Sequence, residues 1–250
     1  DSDLKESKMK VNLKAITPDI ETTIVEIARV SSSRKDKKAK PEGLINYCIK
    51  NKHWSIFEHG YITMEIETSK AIGIQLLRHR SFTFQEFSQR YQDVGKVDEE
   101  SMFETIELRE QADDNRQSST KVFDPEIVVE EGEDAFFDSS QTISYFQLGL
   151  DSPFNVYSLA SDATKDFLEE SEKLYNLLIK AGVARECARM ILPMATKTKI
   201  YMTGNVRSWI HFIGLRDDKH AQKEVQLIAK EIKSILVKEL PTISKALGWG

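Results

Sequence analysis

The 250 residues are 40% apolar and 30% charged, enough for a substantial buried core, and no apolar run approaches the ~20 residues of a membrane-spanning helix, so no membrane association is expected. Two cysteines, Cys48 and Cys187, make no disulfide framework and no metal-ligand spacing, which points to a reducing cytoplasm. The net charge of −5 is uneven: from Asp98 to Asp138, 15 acidic residues meet only Arg109, Arg116 and Lys121, so the remainder is mildly basic and suits anionic ligands or nucleic acid.

Residues 1–8 are charged and precede Met9, and they read as an expression leader outside the fold. Lys10–Thr17 alternates Val11, Leu13 and Ala15 with polar residues, as a short strand does. Asp19 precedes a helical pattern of Ile20, Ile24, Ile27 and Ala28, followed by a basic loop from Ser31. Pro41 opens a second helix to Ile49, with Leu44, Ile45 and Cys48 on its apolar stripe. Tyr61–Thr68 alternates as a half-buried strand, and Ser69 can N-cap a helix from Lys70 to about Arg78. Residues 96–160 are acidic and turn-rich, with Pro125 and Pro153, and read as an excursion holding one helix near 100–116. Ser161–Ala181 is a long amphipathic helix ended by Gly182, and Val183–Leu192 is a helix stopped by Pro193. Lys197–Thr203 is a strand, Asn205 caps a helix to Leu215, and a last helix runs from about His220 to Leu240. With no repeat and no linker, the expected fold is one α+β domain over residues 9–250, a mixed sheet flanked by helices.

The densest chemistry lies in RHRSFTFQEFSQRY, Arg78 to Tyr91, where Arg78, His79, Arg80 and Arg90 mix with Gln85, Glu86, Ser88 and Gln89. Guanidinium groups grip phosphate bidentately. A solvated basic helix end is the bland alternative for this segment alone. Arg185 and Arg189 share a helix face, as do Arg207 and His211 behind the Asn205 cap, with Arg216 at that helix's end. In HWSIFEH, His53 and His59 stand six apart, which fits no helical metal pair, so a metal is rejected. Among the chain's glycines there is no dinucleotide fingerprint and no P-loop, so phosphates must be bound by side chains. Both thiols are expected to pack inertly, Cys48 on its apolar stripe and Cys187 away from Arg185 and Arg189.

Arg78-His79-Arg80 followed by seven residues and Ser88 resembles the signature of the flavin-dependent thymidylate synthases. The resemblance continues in EFSQRY, HWSIFEH, REC-AR-MI-LP and N-V-RS…LR-D-D-K-HAQ-K-E, in order, over most of Met9–Leu240. It implies reductive methylation of dUMP to dTMP, with FAD bound and with methylenetetrahydrofolate and NADPH as co-substrates. By resemblance Ser55, Arg78, His79, Arg80, Glu86, Asn205, Arg207 and His211 would contact FAD. Gln75, Arg78, Glu86, Ser88, Gln89, Arg90, Arg189 and Arg216 would hold the nucleotide, with Arg216 as the catalytic residue that polarises the uracil ring. His53 would lie near the folate or nicotinamide. The resemblance further implies a homotetramer with active sites built across subunits. Thr83 and Gln85 stand where Ser and Asn are frequent in the family, and His211 where some members carry Asn. Two other readings remain at this stage: another flavin or nucleotide enzyme, and a basic nucleic-acid module using Phe82, Phe84, Phe87 and Tyr91 between the arginines.

Overall fold

A computed structural model describes residues 10–31, 41–92, 101–116, 118–131 and 155–249. The N-terminal leader, most of the basic loop from Ser31 and the stretch around Pro153 lie outside the described residues. Two compact units emerge, one of residues 1–105 with 182–250 and one of residues 106–181. The first begins with β1 (Lys10–Ile16), α1 (Ile20–Ala28), α2 (Pro41–Lys50), β2 (Tyr61–Ser69), α3 (Lys70–Leu76) and β3 (Thr83–Glu86). The second contains β4 (Arg109–Gln111), β5 (Ser119–Val122), β6 (Glu126–Glu131), β7 (Asn155–Leu159) and the long α4 (Ala160–Lys180). The first resumes with α5 (Arg185–Ala188), β8 (Lys197–Asn205), α6 (Val206–Arg216), α7 (Lys223–Glu239) and α8 (Pro241–Leu247).

The α+β class is as expected, and the second unit overlaps the acidic excursion but starts at Ile106 and also takes in the long α4. The sheet of the first unit runs β1-β2-β8-β3, and each described pairing in it is antiparallel, not mixed. The helix expected near 100–116 is replaced by the β4–β5 hairpin. Its turn is tied by Gln111 Nε2 donating to the carbonyls of Asn115 and Ser118 and by Asn115 Nδ2 donating to Ser118 Oγ, side-chain bonds that compete with helix. The helix expected over 183–192 is a single turn, α5, followed by a 3-10 turn at Arg189–Ile191. Pro193 forces Leu192 into extended backbone at ψ 130° and so ends it. The last expected helix is present as α7, and a further short helix, α8, opens with Pro241 in its first turn.

β2 and β8 pair along all nine residues, from Tyr61 opposite Asn205 to Ser69 opposite Lys197. Side chains alternate across a strand, so Ile62, Met64 and Ile66 share one face with Ile200 and Met202. That face is fully buried under Trp209 and Phe212 of α6, Ile228 and Ile232 of α7, and Ile24 of α1. The Trp209 indole, wholly buried, donates to the Ile62 carbonyl at 3.2 Å. On the opposite face Glu65 is only 5% exposed yet charged. Burial pushes its pKa up, but hydrogen bonds from Tyr201, Lys14 and Asn12 and the charge of Lys199 outweigh that and hold it below the ordinary carboxylate value.

Gly204 of β8 is where the sheet meets the loop after α3. A Cβ there would fall 2.4 and 2.5 Å from Phe82 ring carbons, so the ring lies directly on the backbone. Gly204→Ala is expected to destabilise the fold by about 1–3 kcal/mol through overpacking. Urea denaturation checks this, since a midpoint equal to wild type would mean the Phe82 ring is not held there.

Candidate active site

Most sequence-derived candidates stand on the elements around Phe82, namely α3, the turn after it, β3 and α6. His79 to Phe82 form a turn closed by the Phe82 N–H donating to the His79 carbonyl at 3.2 Å. Phe82 packs edge-on against Trp209 at 4.7 Å between centroids, and His79 against Phe212 at 4.9 Å. Ser208 Oγ donates to the Ser81 carbonyl at 3.3 Å, a second tie between the turn and α6. The helix itself starts as expected, with Asn205 Oδ1 accepting from the Ser208 N–H at 2.9 Å. The α3 cap also forms, Ser69 Oγ accepting from the Ile72 N–H at 3.4 Å.

Four residues after Phe212, on the same side of α6, comes Arg216. Its Nε donates to His79 Nε2 at 2.9 Å. The accepting nitrogen must be unprotonated, so the His79 proton sits on Nδ1. Burial foremost, then the charges of Arg216 and His211, lower the His79 pKa to about 4, so the ring is neutral at physiological pH. Burial and the nearby Arg78 charge lower the Arg216 pKa from its ordinary value. Arg78, His79, His211 and Arg216 therefore gather at one place, and the cation at its centre rests on a neutral ring.

The remaining candidates form smaller groups. Gln75 on α3 donates to Gln222 Oε1 at 2.6 Å. Glu86, at the end of β3, accepts from Lys70 Nζ at 2.8 Å and from Thr198 Oγ1 at 2.9 Å. Ser88, Gln89 and Arg90 follow in the next turn, where Arg90 pairs with Glu186 at 3.3 Å. That pair joins the SQRY and RECAR segments, and within RECAR Arg189 Nε donates to the Glu186 carbonyl at 3.4 Å. Arg207 of α6 pairs with Glu58, in the 3-10 turn Trp54–Glu58 that also carries Ser55. His53 is exposed and stacks edge-on against Tyr47 at 5.6 Å.

Sequence reasoning missed Lys70, Thr198, Glu58, Glu186 and Gln222 as partners. Glu58, Glu186 and Gln222 lie inside motifs that carried a signal; Lys70 and Thr198 do not. Cys48 is buried as expected, and burial pushes its thiol up. Cys187, expected to pack, is exposed, because α5 is too short to turn its side chain into a core.

The donor set fits phosphate-bearing ligands. Arg78 and Arg80 are exposed and, among the described residues, pair with no carboxylate. Gln89 is 7% exposed, and its buried Nε2 has no partner among the described residues, a spare donor that native structures seldom tolerate without a ligand.

The neutrality of His79 carries a pH dependence. A base whose folded pKa is lowered binds its proton more readily when unfolded, so its contribution is complete above about 6.5 and is lost as pH falls toward about 4. His79→Gln is expected to show a shallower fall in urea-denaturation stability over that window; identical slopes would mean that His79 titrates normally in the fold.

The sequence profile described as thymidylate synthase complementing protein matches residues 12–242. The chain is 39% identical over 230 residues to a probable flavin-dependent thymidylate synthase of Paramecium bursaria Chlorella virus 1, covering 92% of this chain and 91% of the relative. It is 38% identical over 229 residues to the flavin-dependent thymidylate synthase of Synechocystis, covering 92% and 90%. With that of Thermosipho melanesiensis the identity is 30% over 218 residues, covering 87% and 81%. With the His79–Arg216 centre inside the matched span, the chain belongs to the family of flavin-dependent thymidylate synthases.

Proposed function

We propose that this protein catalyses the reductive methylation of dUMP to dTMP, taking the carbon from methylenetetrahydrofolate and electrons from NADPH, with FAD bound. The observation that carries the reading is a permanent cation, Arg216, half-buried and aimed by a neutral histidine, near Arg78, which pairs with no carboxylate among the described residues. A guanidinium in that setting stabilises negative charge developing on a pyrimidine ring, and needs no proton transfer to do so. Bound FAD supplies the redox chemistry. The residues of this chain orient the ring, bind the phosphates and keep the cation in place.

In this reading Arg216 faces the uracil, and Gln75, Arg78, Glu86, Ser88, Gln89, Arg90 and Arg189 hold the nucleotide. Ser55, Arg78, His79, Arg80, Glu86, Asn205, Arg207 and His211 hold FAD, and His53 lies toward the folate or nicotinamide. Asn205 spends its carbonyl oxygen on the α6 cap, so its amide N–H groups are what it offers a ligand. A thiolate route is disfavoured, since one thiol is buried and raised in pKa while the other stands on a single exposed turn. A homotetramer in the cytoplasm, binding neither nucleic acid nor membrane, completes the proposal. No helix among the described residues is long and apolar enough to cross a membrane.

Release of tritium from 5-tritiated dUMP, dependent on methylenetetrahydrofolate, NADPH and FAD, tests the reading directly. The purified chain should release it and elute as a tetramer loaded with flavin. A chain that takes up no flavin, or binds nucleic acid with a steep salt dependence instead, would refute it.

Arg216→Lys should fold and bind flavin but lose about 10²-fold or more in kcat, because the charge remains while the planar fork is lost. Steady-state kinetics on flavin-saturated protein decide this, and near-wild-type turnover would remove Arg216 from the catalytic role.

A further inference from the structure

Glu86 stands where strand geometry disfavours a carboxylate. It lies opposite Ile200 in the β3–β8 register, on the face that carries Phe84, Met202 and Ile200 against the helices. An ionised group there is costly unless it is paired and hydrogen-bonded. Both compensating groups converge on one oxygen: Lys70 Nζ and Thr198 Oγ1 donate to Oε1 at 2.8 and 2.9 Å. The Lys70 and Glu86 side chains are each only 24% exposed, so solvent screens the pair weakly. The carboxylate lies against Gly73 of α3, where a Cβ would be in ordinary contact with Oε1 at 3.7 Å and would crowd Ile200 Cδ1 at 3.1 Å. Among the described residues Oε2 accepts no hydrogen bond.

Lys70 itself contradicts a local preference. It is the first residue of α3, where the helix dipole disfavours a cation, and the first turn holds no acidic residue to offset it. Positions where a local rule is broken while the fold stays consistent are those that serve a site. The ammonium does not point to free phosphate binding, because it is already engaged by Glu86.

We propose that Lys70 is a positioning residue for nucleotide binding. Together with Thr198 it fixes Oε1 of Glu86 and leaves Oε2 free to accept from an N–H or O–H of dUMP. The proposal rests on the reading of Glu86 as a nucleotide contact.

The test compares wild type, Lys70→Met, Glu86→Gln and the double variant as FAD-loaded protein, with dUMP affinity measured by calorimetry and KM and kcat alongside. Lys70→Met should weaken dUMP binding about tenfold, the scale of a charge-assisted hydrogen bond, and raise KM more than it lowers kcat. In the Glu86→Gln background the same change should weaken binding no further, because Lys70 acts through Glu86. Lys70→Arg should restore most of the affinity. If Lys70→Met does not fold, the near-isosteric Thr198→Val takes its place, with a weakening of about threefold that also vanishes beside Glu86→Gln. Losses that add in the double variant, or a Lys70→Met protein that binds dUMP as wild type does while Glu86→Gln does not, would overturn the positioning role. A Glu86→Gln protein with unchanged dUMP affinity would overturn it too, by removing Glu86 from the nucleotide. Failure of the broader functional reading is distinct, for wild type itself would then neither bind dUMP nor release tritium from it.

Discussion

The Phe82 ring lying on the Gly204 backbone is the constraint from which the site follows. The glycine brings the loop after α3 down onto β8, and Trp209 and Phe212 close around the ring. The turn from His79 to Phe82 is thereby fixed against α6, the helix that starts at Asn205 directly after that glycine. Because residues four apart on a helix share a side, the same packing that buries Phe212 delivers Arg216 to His79. Core packing and the aim of the central cation are one arrangement, not two.

The chain handles its enclosed carboxylates in two ways, and the difference separates scaffold from site. Glu65 uses both oxygens, Oε1 accepting from Asn12 and Oε2 from Tyr201 and Lys14, so it is saturated and serves to hold three strands together. Glu86 directs both of its donors to one oxygen and leaves the other bare among the described residues. A saturated buried charge stabilises a sheet; a half-saturated one remains available to a ligand. Gln89 Nε2 belongs to the second class, as a buried donor without a partner among the described residues.

Much of the frame was legible in the sequence because it depends on local pattern. The alternation of Tyr61–Thr68, the Ser69 and Asn205 caps and the long helix ended before Gly182 all came through within a residue or two. β3 did not, because four residues inside a charged motif show no usable period, and their strand character comes from pairing with β8, over a hundred residues away. The β4–β5 hairpin was hidden for a related reason: its acidic residues suit a helix, but side-chain bonds in the turn decide otherwise. At the site, motif density located the arginines but not what holds them. Lys70 meets Glu86 at a separation of 16 residues and Thr198 at 112, and neither distance leaves a trace in local spacing.

The cations are held with graded firmness, and the gradation fits the roles proposed for them. Arg90 with Glu186, and Arg207 with Glu58, are pairs in which every side chain is at least 44% exposed. Such pairs contribute about 0–1 kcal/mol, so an arriving phosphate can displace the carboxylate at small cost while the arginine is kept extended and nearby. Gln75 with Gln222 is a neutral counterpart of the same kind. Arg216 differs in having a half-buried, uncharged partner that does not neutralise it. A carboxylate in that position would cancel the guanidinium's charge, and an imidazolium would repel it. A neutral imidazole orients the cation and leaves its field intact, which is the condition that the role proposed for Arg216 at the uracil ring requires.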